Sequence, residues 1–366
     1  MGISERQRIA YVDAAKGLSI LMIMMGHVTD YYNPLDMWMS SFKVSIFYVI
    51  SGFLMCYTGS VVKRSFTEFT GKILKSLAIP YLYFSIIGIV FKTGCVFLKH
   101  KPQAKVSDTF WRYLWDSVFL KGMNSMWFLP TLFIGELIFF WLIRRNIVVK
   151  IIYGVVALFA VSFANIVDGT LGRCVESSAH VWIYEDAIRL TNAVCKGIVA
   201  AWFIGAGYLM YSLYRHIDSL QFKAVLGIIL SIVNLVLSQI NEGVDFNCMK
   251  DGRYPFMFYI CGIIGSAGAI ILLDVITGYV KLGFLDFWGK NSLIVMCTHT
   301  VLGFRTLVYK GWASVGYMPK TGSFEYICHC FVVLAILLLI EYSLVVIIND
   351  RFPFLIGKEK VKTSKN

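Results

Sequence analysis

Ten stretches of this sequence are each long and apolar enough to cross a lipid bilayer: residues 11–31, 42–59, 76–98, 127–143, 149–167, 191–213, 223–239, 254–276, 284–304 and 325–348. A spanning helix needs about 20 mostly apolar residues. Inside hydrocarbon every backbone donor and acceptor must be satisfied without water, which leaves only helices and closed barrels. None of the stretches alternates with a period of two, so a barrel is not expected. The expected fold is an all-α polytopic membrane helix bundle of about ten transmembrane helices. Composition agrees: of 366 residues, 58% are hydrophobic and 15% charged, against roughly 45–50% and about 25% in soluble domains. A soluble globule would have to expose the excess, and a disordered chain has too much to bury.

The net charge of +12 reads as a preference for one side of the membrane rather than as nucleic-acid binding. A cytoplasmic N-terminus puts Arg6 and Arg8, then Lys63, Arg64, Lys72 and Lys75, then Arg144 and Arg145 inside, on short segments that abut the spans. That is where the excess of Lys and Arg sets orientation. With ten spans both termini are cytoplasmic, and residues 351–366 form a basic tail behind one integral-membrane domain, 1–350. The protein is expected to be multi-pass in the plasma or inner membrane. The first stretch is expected to be an uncleaved helix rather than a signal peptide, because Asp13, Lys16 and His27 interrupt it and no small-residue cleavage site follows. The longest external loops carry Trp111, Trp115, Trp182 and Tyr184, residues suited to the membrane interface or to stacking on sugar rings.

Ionisable residues inside a membrane are costly and point to function. The first stretch holds Asp13, Lys16 and His27. At about 100° per residue, His27 lies about 20° past three full turns from Lys16, and Asp13 falls on the same stripe. The rise from Lys16 to His27 is about 16 Å, with Lys16 toward the cytoplasm and His27 toward the outside. Asp13 and Lys16 are spaced for an ion pair, and Asp30 is placed to orient the His27 ring. Elsewhere, Glu136 and Glu341 sit among apolar residues and need a partner. Lys196 is a plausible one, for a packing ion pair. The nine cysteines have no metal-ligand spacing, and no metal site is expected. Cys174 and Cys248 lie in external loops and are positioned to pair if that side is oxidising.

The stretch Asp13-Ala-Ala-Lys16-Gly17, followed by Gly26-His27, resembles the start of the acyltransferase family 3 membrane proteins, which O-acetylate bacterial surface polysaccharides. Lys in place of Arg is similar to the branch that includes fucose 4-O-acetylase-like proteins. Further matches follow in the family's order. Phe47-Tyr48-Val49-Ile50-Ser51-Gly52-Phe53 resembles its Ser-Gly motif, and Lys72-Ile73-Leu74-Lys75 before Pro80 its Arg-x-x-Arg element. Trp127-Phe128-Leu129 resembles a later helix start. Gly289-Lys290-Asn291-Ser292-Leu293 with His299 resembles its Gly-x-x-Ser-Leu element and the histidine after it.

The resemblance implies an acyltransferase domain over 1–350, acetyl-CoA as donor without a metal, and a surface polysaccharide or lipid-linked sugar as acceptor. His27 is then the general base or an acyl relay, since an imidazole titrates near working pH. Asp30 orients it, and Lys16 and Asp13 stabilise charge or line the donor's path. Lys72 and Lys75 are suited to the donor's phosphates, although as point charges they lack the two-pronged fit of Arg. Ser51, His299 and Arg305 are candidate acceptor contacts, whereas Gly52 reads as a close helix crossing. The same spans also describe a secondary transporter or polysaccharide exporter, in which Asp13, His27 and Glu341 relay protons. No pair of repeated halves with matching broken helices is evident, which counts against it. A third reading is a sensor or scaffold without activity.

Overall fold

The computed structural model describes residues 9–29, 33–177, 181–314 and 319–358, with the backbone alone at 174–177, 181, 182 and 313. The chain is an all-α bundle. Its helices are α1 (Ala10–Gly26), α2 (Pro34–Phe42), α3 (Ser45–Thr58), α4 (Ser60–Lys63), α5 (Phe66–Ile73), α6 (Ile79–Leu98), α7 (Gln103–Val118) and α8 (Phe128–Leu142). They continue with α9 (Ile147–Ser177), α10 (Val181–Tyr214), α11 (Leu220–Ile240), α12 (Pro255–Thr277), α13 (Gly283–Lys290), α14 (Ser292–Thr298), α15 (Phe304–Ser314) and α16 (Phe324–Arg351). A two-residue hairpin, β1 (Val244–Asp245) and β2 (Lys250–Asp251), joins α11 to α12. α5 and α6 are one rod joined through a π-helical stretch, Leu74–Ala78.

Eight helices among the described residues are long and apolar enough to cross a membrane. The second begins earlier than expected, at Pro34 rather than at residue 42, because α2 and α3 follow each other as one unit. Its start carries a signal visible in the sequence: Asn33 caps the Leu35 N–H and Pro34 occupies the first turn. The fifth and sixth also run further, as Ile147–Arg173 and Ile183–Tyr214.

Two of the ten expected spans are built differently. The first, expected over 11–31, is a 17-residue helix that stops at Gly26. The ninth, expected over 284–304, breaks at Asn291 into α13 and α14. These two segments pack on each other. A Cβ on Gly17 would collide with the Leu285 carbonyl, and one on Gly289 with the Asp13 carbonyl. Backbones this close require glycine on both sides of the crossing. The break itself is satisfied: the Asn291 side chain donates to the Phe287 carbonyl and accepts from Asn349 of α16. Irregular backbone at membrane depth is tolerated where protein surrounds it.

α1 is the central element, touching α2, α3, α12, α13, α14 and α16. Around it, α9 and α11 turn Ile151, Val155, Phe159, Ile228, Ile232 and Val236 outward, as a lipid-facing surface requires. α3 crosses α10 at Gly52, where a Cβ would strike the Ile204 carbonyl. Asp116 of α7 is buried and accepts from Arg189 of α10 at 2.8 Å, tying together two helical hairpins at the end of the bundle that carries His27. At the opposite end, Arg144 donates to the Val61 and Arg64 carbonyls. There the expected tail begins as a packed turn, Pro353–Ile356, set against the start of α6.

Candidate functional site

His27 ends α1, and His299 follows the last turn of α14. Their ring centroids are 5.3 Å apart. The glycine before His27 has a steric reason: a side chain at Gly26 would occupy the place of the Lys43 ammonium, which packs there with Asp36. Lys43 Nζ lies 3.2 Å from Asp36 Oδ1 and 2.7 Å from Ser40 Oγ. The far side of the first turn beyond α1 is anchored by Tyr309, whose hydroxyl donates to the Val28 carbonyl at 2.9 Å.

The His299 ring is fixed by Nδ1, 2.6 Å from the Val295 carbonyl. A carbonyl can only accept, so the proton sits on Nδ1 and the lone pair on Nε2. Nε2 is buried and has no hydrogen-bond partner among the described residues. Behind it, the Thr298 hydroxyl bonds buried Glu341 at 2.6 Å. α14 is held from the other side by Ser125, which donates to the Met296 carbonyl and meets the Thr300 hydroxyl.

His27 borders a cavity of about 430 Å³, while His299 is buried next to it and is not part of the lining. His27, Lys43, Lys92 and Arg305 supply its basic wall, while Trp127 and Phe246 stack on each other as its aromatic wall. Lys196 reaches the back of that wall, with Nζ 4.9 Å from the Trp127 ring centre and 3.2 Å from Asn247 Oδ1. The structure thus brings His27 of α1 together with His299 and Arg305, which lie six residues apart at the junction of α14 and α15. Lys92 and Lys43 also belong to the cavity and were not singled out by the sequence reading. A lysine inside the third apolar stretch was itself the signal.

Other expected residues lie elsewhere. Asp13 and Lys16 form their ion pair at 4.0 Å, toward the start of α1. Ser51 is not at the cavity: its hydroxyl donates to Glu136 of α8 at 2.5 Å. That bond, and the one from Thr298 to Glu341, replace the ion pair expected with Lys196. Among the described residues Lys196 has no carboxylate within 4.0 Å. The carboxyls instead meet hydroxyls on the adjacent helix, and Lys196 turns to an amide and an aromatic face. Lys72 and Lys75 are exposed on α5 and the π-helical stretch, at the end where Arg144 binds the 61–64 turn. Asp30 lies outside the described residues, as do the side chains of Cys174 and Trp182. Cys248 is exposed.

Comparison with known proteins bears on this arrangement. A Nodulation protein NolL from Mesorhizobium japonicum is 29% identical over 107 residues, covering 26% of this chain and 27% of that protein. The match thus spans about a quarter of the curated relative's length. No solved structure gives a significant match. The model of the acyltransferase family 3, described as an acyltransferase domain, matches residues 9–344. That match takes in both histidines, every helix from α1 to the greater part of α16 and nearly the whole chain, and so the protein, with its eight helices among the described residues long and apolar enough to cross a membrane, belongs to acyltransferase family 3.

Proposed function

We propose that the protein is an O-acyltransferase that moves an acetyl group from acetyl-CoA to a hydroxyl of an extracytoplasmic or lipid-linked carbohydrate. The observation that carries this reading is His27 at the edge of a polar cavity, with the His299 ring centre 5.3 Å from its own. Acyl transfer to an alcohol needs a base at the attacking oxygen. An imidazole nitrogen takes the hydroxyl proton as the oxygen bonds to the thioester carbonyl carbon. The carbon–sulfur bond then breaks, and CoA leaves as the thiolate. His27 is the base in this reading, and His299, its tautomer set by Val295, is the neighbour that holds the acceptor hydroxyl or shares the proton. Lys43, which lines the same cavity as His27, favours the negative charge that develops on the carbonyl oxygen.

The donor fits the residues at the two ends of the bundle. Its phosphates suit Lys72 and Lys75, which lie among the basic residues of the 61–64 and 144–145 turns. The positive-inside rule places that end in the cytoplasm, where acetyl-CoA is made, and it places the histidine cavity on the outer side of the cell membrane. Purified protein given radiolabelled acetyl-CoA and the cell's own surface glycan tests this reading. Label is expected in the glycan with the wild-type chain, and none with His27→Ala at equal expression. Gradient-driven flux without label transfer would establish the transporter instead.

A further inference from the structure

The cavity carries more positive charge than the chemistry at the histidines requires. Lys43, Lys92 and Arg305 line it, and Lys196 stands behind Trp127. Against these four cations stand, among the described residues, two carboxylates, Asp36, which pairs with Lys43, and Asp245, on the lining. Among those residues two positive charges are left over. Asp245 is also engaged by the Cys248 backbone N–H at 3.1 Å. Lys92, Lys196 and Arg305 have no ion-pair partner within 4.0 Å among the described residues. Uncompensated cations at a recessed site are costly unless an anion completes them.

Lys92 and Arg305 come from α6 and α15, far apart in the chain. Gly303 brings them to one mouth. Its φ of +68° turns the chain out of α14 toward α15, and the Lys92 ammonium lies 3.9 Å from where a Cβ on Gly303 would sit. Arg305 is exposed at the rim, with its guanidinium 5.6 Å from the Tyr309 ring centre. A guanidinium and an ammonium lining one cavity suit a carboxylate or phosphate oxygen pair. Trp127 and Phe246 add an apolar patch to the lining.

We propose that the acceptor is an anionic glycan, its carboxylate or phosphate held between Lys92 and Arg305 while a hydroxyl of the same or the adjoining sugar is presented to His27 and His299. This rests on the acyltransferase reading for the reaction but not for the binding. Charge at the mouth then selects the acceptor, and the histidines act on whatever hydroxyl that anchoring brings within reach.

The test has a binding arm and a transfer arm, both on the full-length protein in detergent. Thermal unfolding is followed with glucuronate, glucose 1-phosphate and glucose. Stabilisation by at least one of the two anions and not by glucose is expected, and its loss in Lys92→Gln/Arg305→Gln. The anion that stabilises tells carboxylate from phosphate. In the transfer arm, the cell's surface glycan is compared before and after carboxyl reduction or dephosphorylation. The double variant is expected to raise KM for the native glycan about tenfold for each charge-assisted hydrogen bond removed, leaving KM for acetyl-CoA unchanged. Arg305→Lys restores part of the affinity. A rise in KM for acetyl-CoA instead would assign these cations to the donor's phosphates, and a fall in kcat alone would assign them to the reacting oxyanion. Either result overturns the proposal, as does equal use of the neutralised glycan. Anion binding without any transfer sinks the acyltransferase reading and leaves the binding site standing.

Discussion

Single residues divide into those whose chemistry is visible in the sequence and those whose neighbours decide it. Asp13, Lys16 and His27 stand out because an ionisable group in an apolar stretch has few innocent explanations, and helical spacing alone puts them on one face. Lys92 meets the same criterion from inside the third apolar stretch, and only the fold shows that it faces the same cavity as Arg305. Glu136 and Glu341 look like halves of ion pairs and are not: each meets a hydroxyl, from Ser51 and Thr298, because the side chain opposite is fixed by helix packing that no spacing encodes. Removing the hydroxyl tests how much it matters. Thr298→Val leaves the buried Glu341 carboxyl without this bond, a cost of about 1–3 kcal/mol for a buried polar group left unsatisfied. A clear fall in unfolding temperature is expected, and an unchanged one would mean that water or another group replaces the hydroxyl. For Lys72→Ala and Lys75→Ala the expected change is a higher KM for acetyl-CoA with kcat preserved, measured by initial rates at saturating glycan. An unchanged KM would remove both from the donor site.

At the scale of elements, glycine explains why the motifs have the form they do. Gly17, Gly52 and Gly289 each face a backbone carbonyl of a neighbouring segment that a Cβ would strike, so they mark where α1 crosses α13 and α3 crosses α10. Small residues in an apolar helix make such a crossing legible as a contact, though not the identity of the partner. The break at Asn291 is less legible. Residues 284–304 read as one apolar run because hydropathy averages over a turn that a single asparagine caps, and the cap depends on Asn349, 58 positions away. The same blindness hid the length of α9 and α10, whose ends are too polar to score as membrane yet remain helical. Gly52→Ala and Gly17→Ala are expected to destabilise the bundle by about 1–3 kcal/mol or more through overpacking. Gly94→Ala, in α6 with nothing within 4 Å of the added carbon, is expected to be neutral or to gain about 0.5–1 kcal/mol of helix stability. Thermal unfolding in detergent reads all three. Equal effects at the three positions would refute the close-crossing account.

The whole molecule poses the question of sides. The two ends of the bundle differ in kind. One collects Lys63, Arg64, Arg144 and Arg145 on short turns between spans, joined by the bonds of Arg144 to the 61–64 carbonyls. The other is built from long helices that outrun the bilayer. α9 and α10 have 31 and 34 residues, about 46 and 51 Å at 1.5 Å per residue, against about 30 Å of hydrocarbon. Short basic turns govern orientation more than charges on long projecting segments, so the Arg144 end is expected in the cytoplasm and the histidine cavity outside, even though the projecting end is itself rich in lysine. Cys248, exposed beside the β-hairpin at the cavity end, provides the measurement. A variant that keeps Cys248 alone is expected to react with a membrane-impermeant maleimide in intact cells. A cysteine-free chain carrying Arg64→Cys is expected to react only after the membrane is opened. The opposite pattern would place the cavity in the cytoplasm, on the same side as acetyl-CoA. An extracytoplasmic acceptor would then have no access to His27, and the acceptor would have to be a cytoplasmic sugar or a lipid-linked one on the inner leaflet.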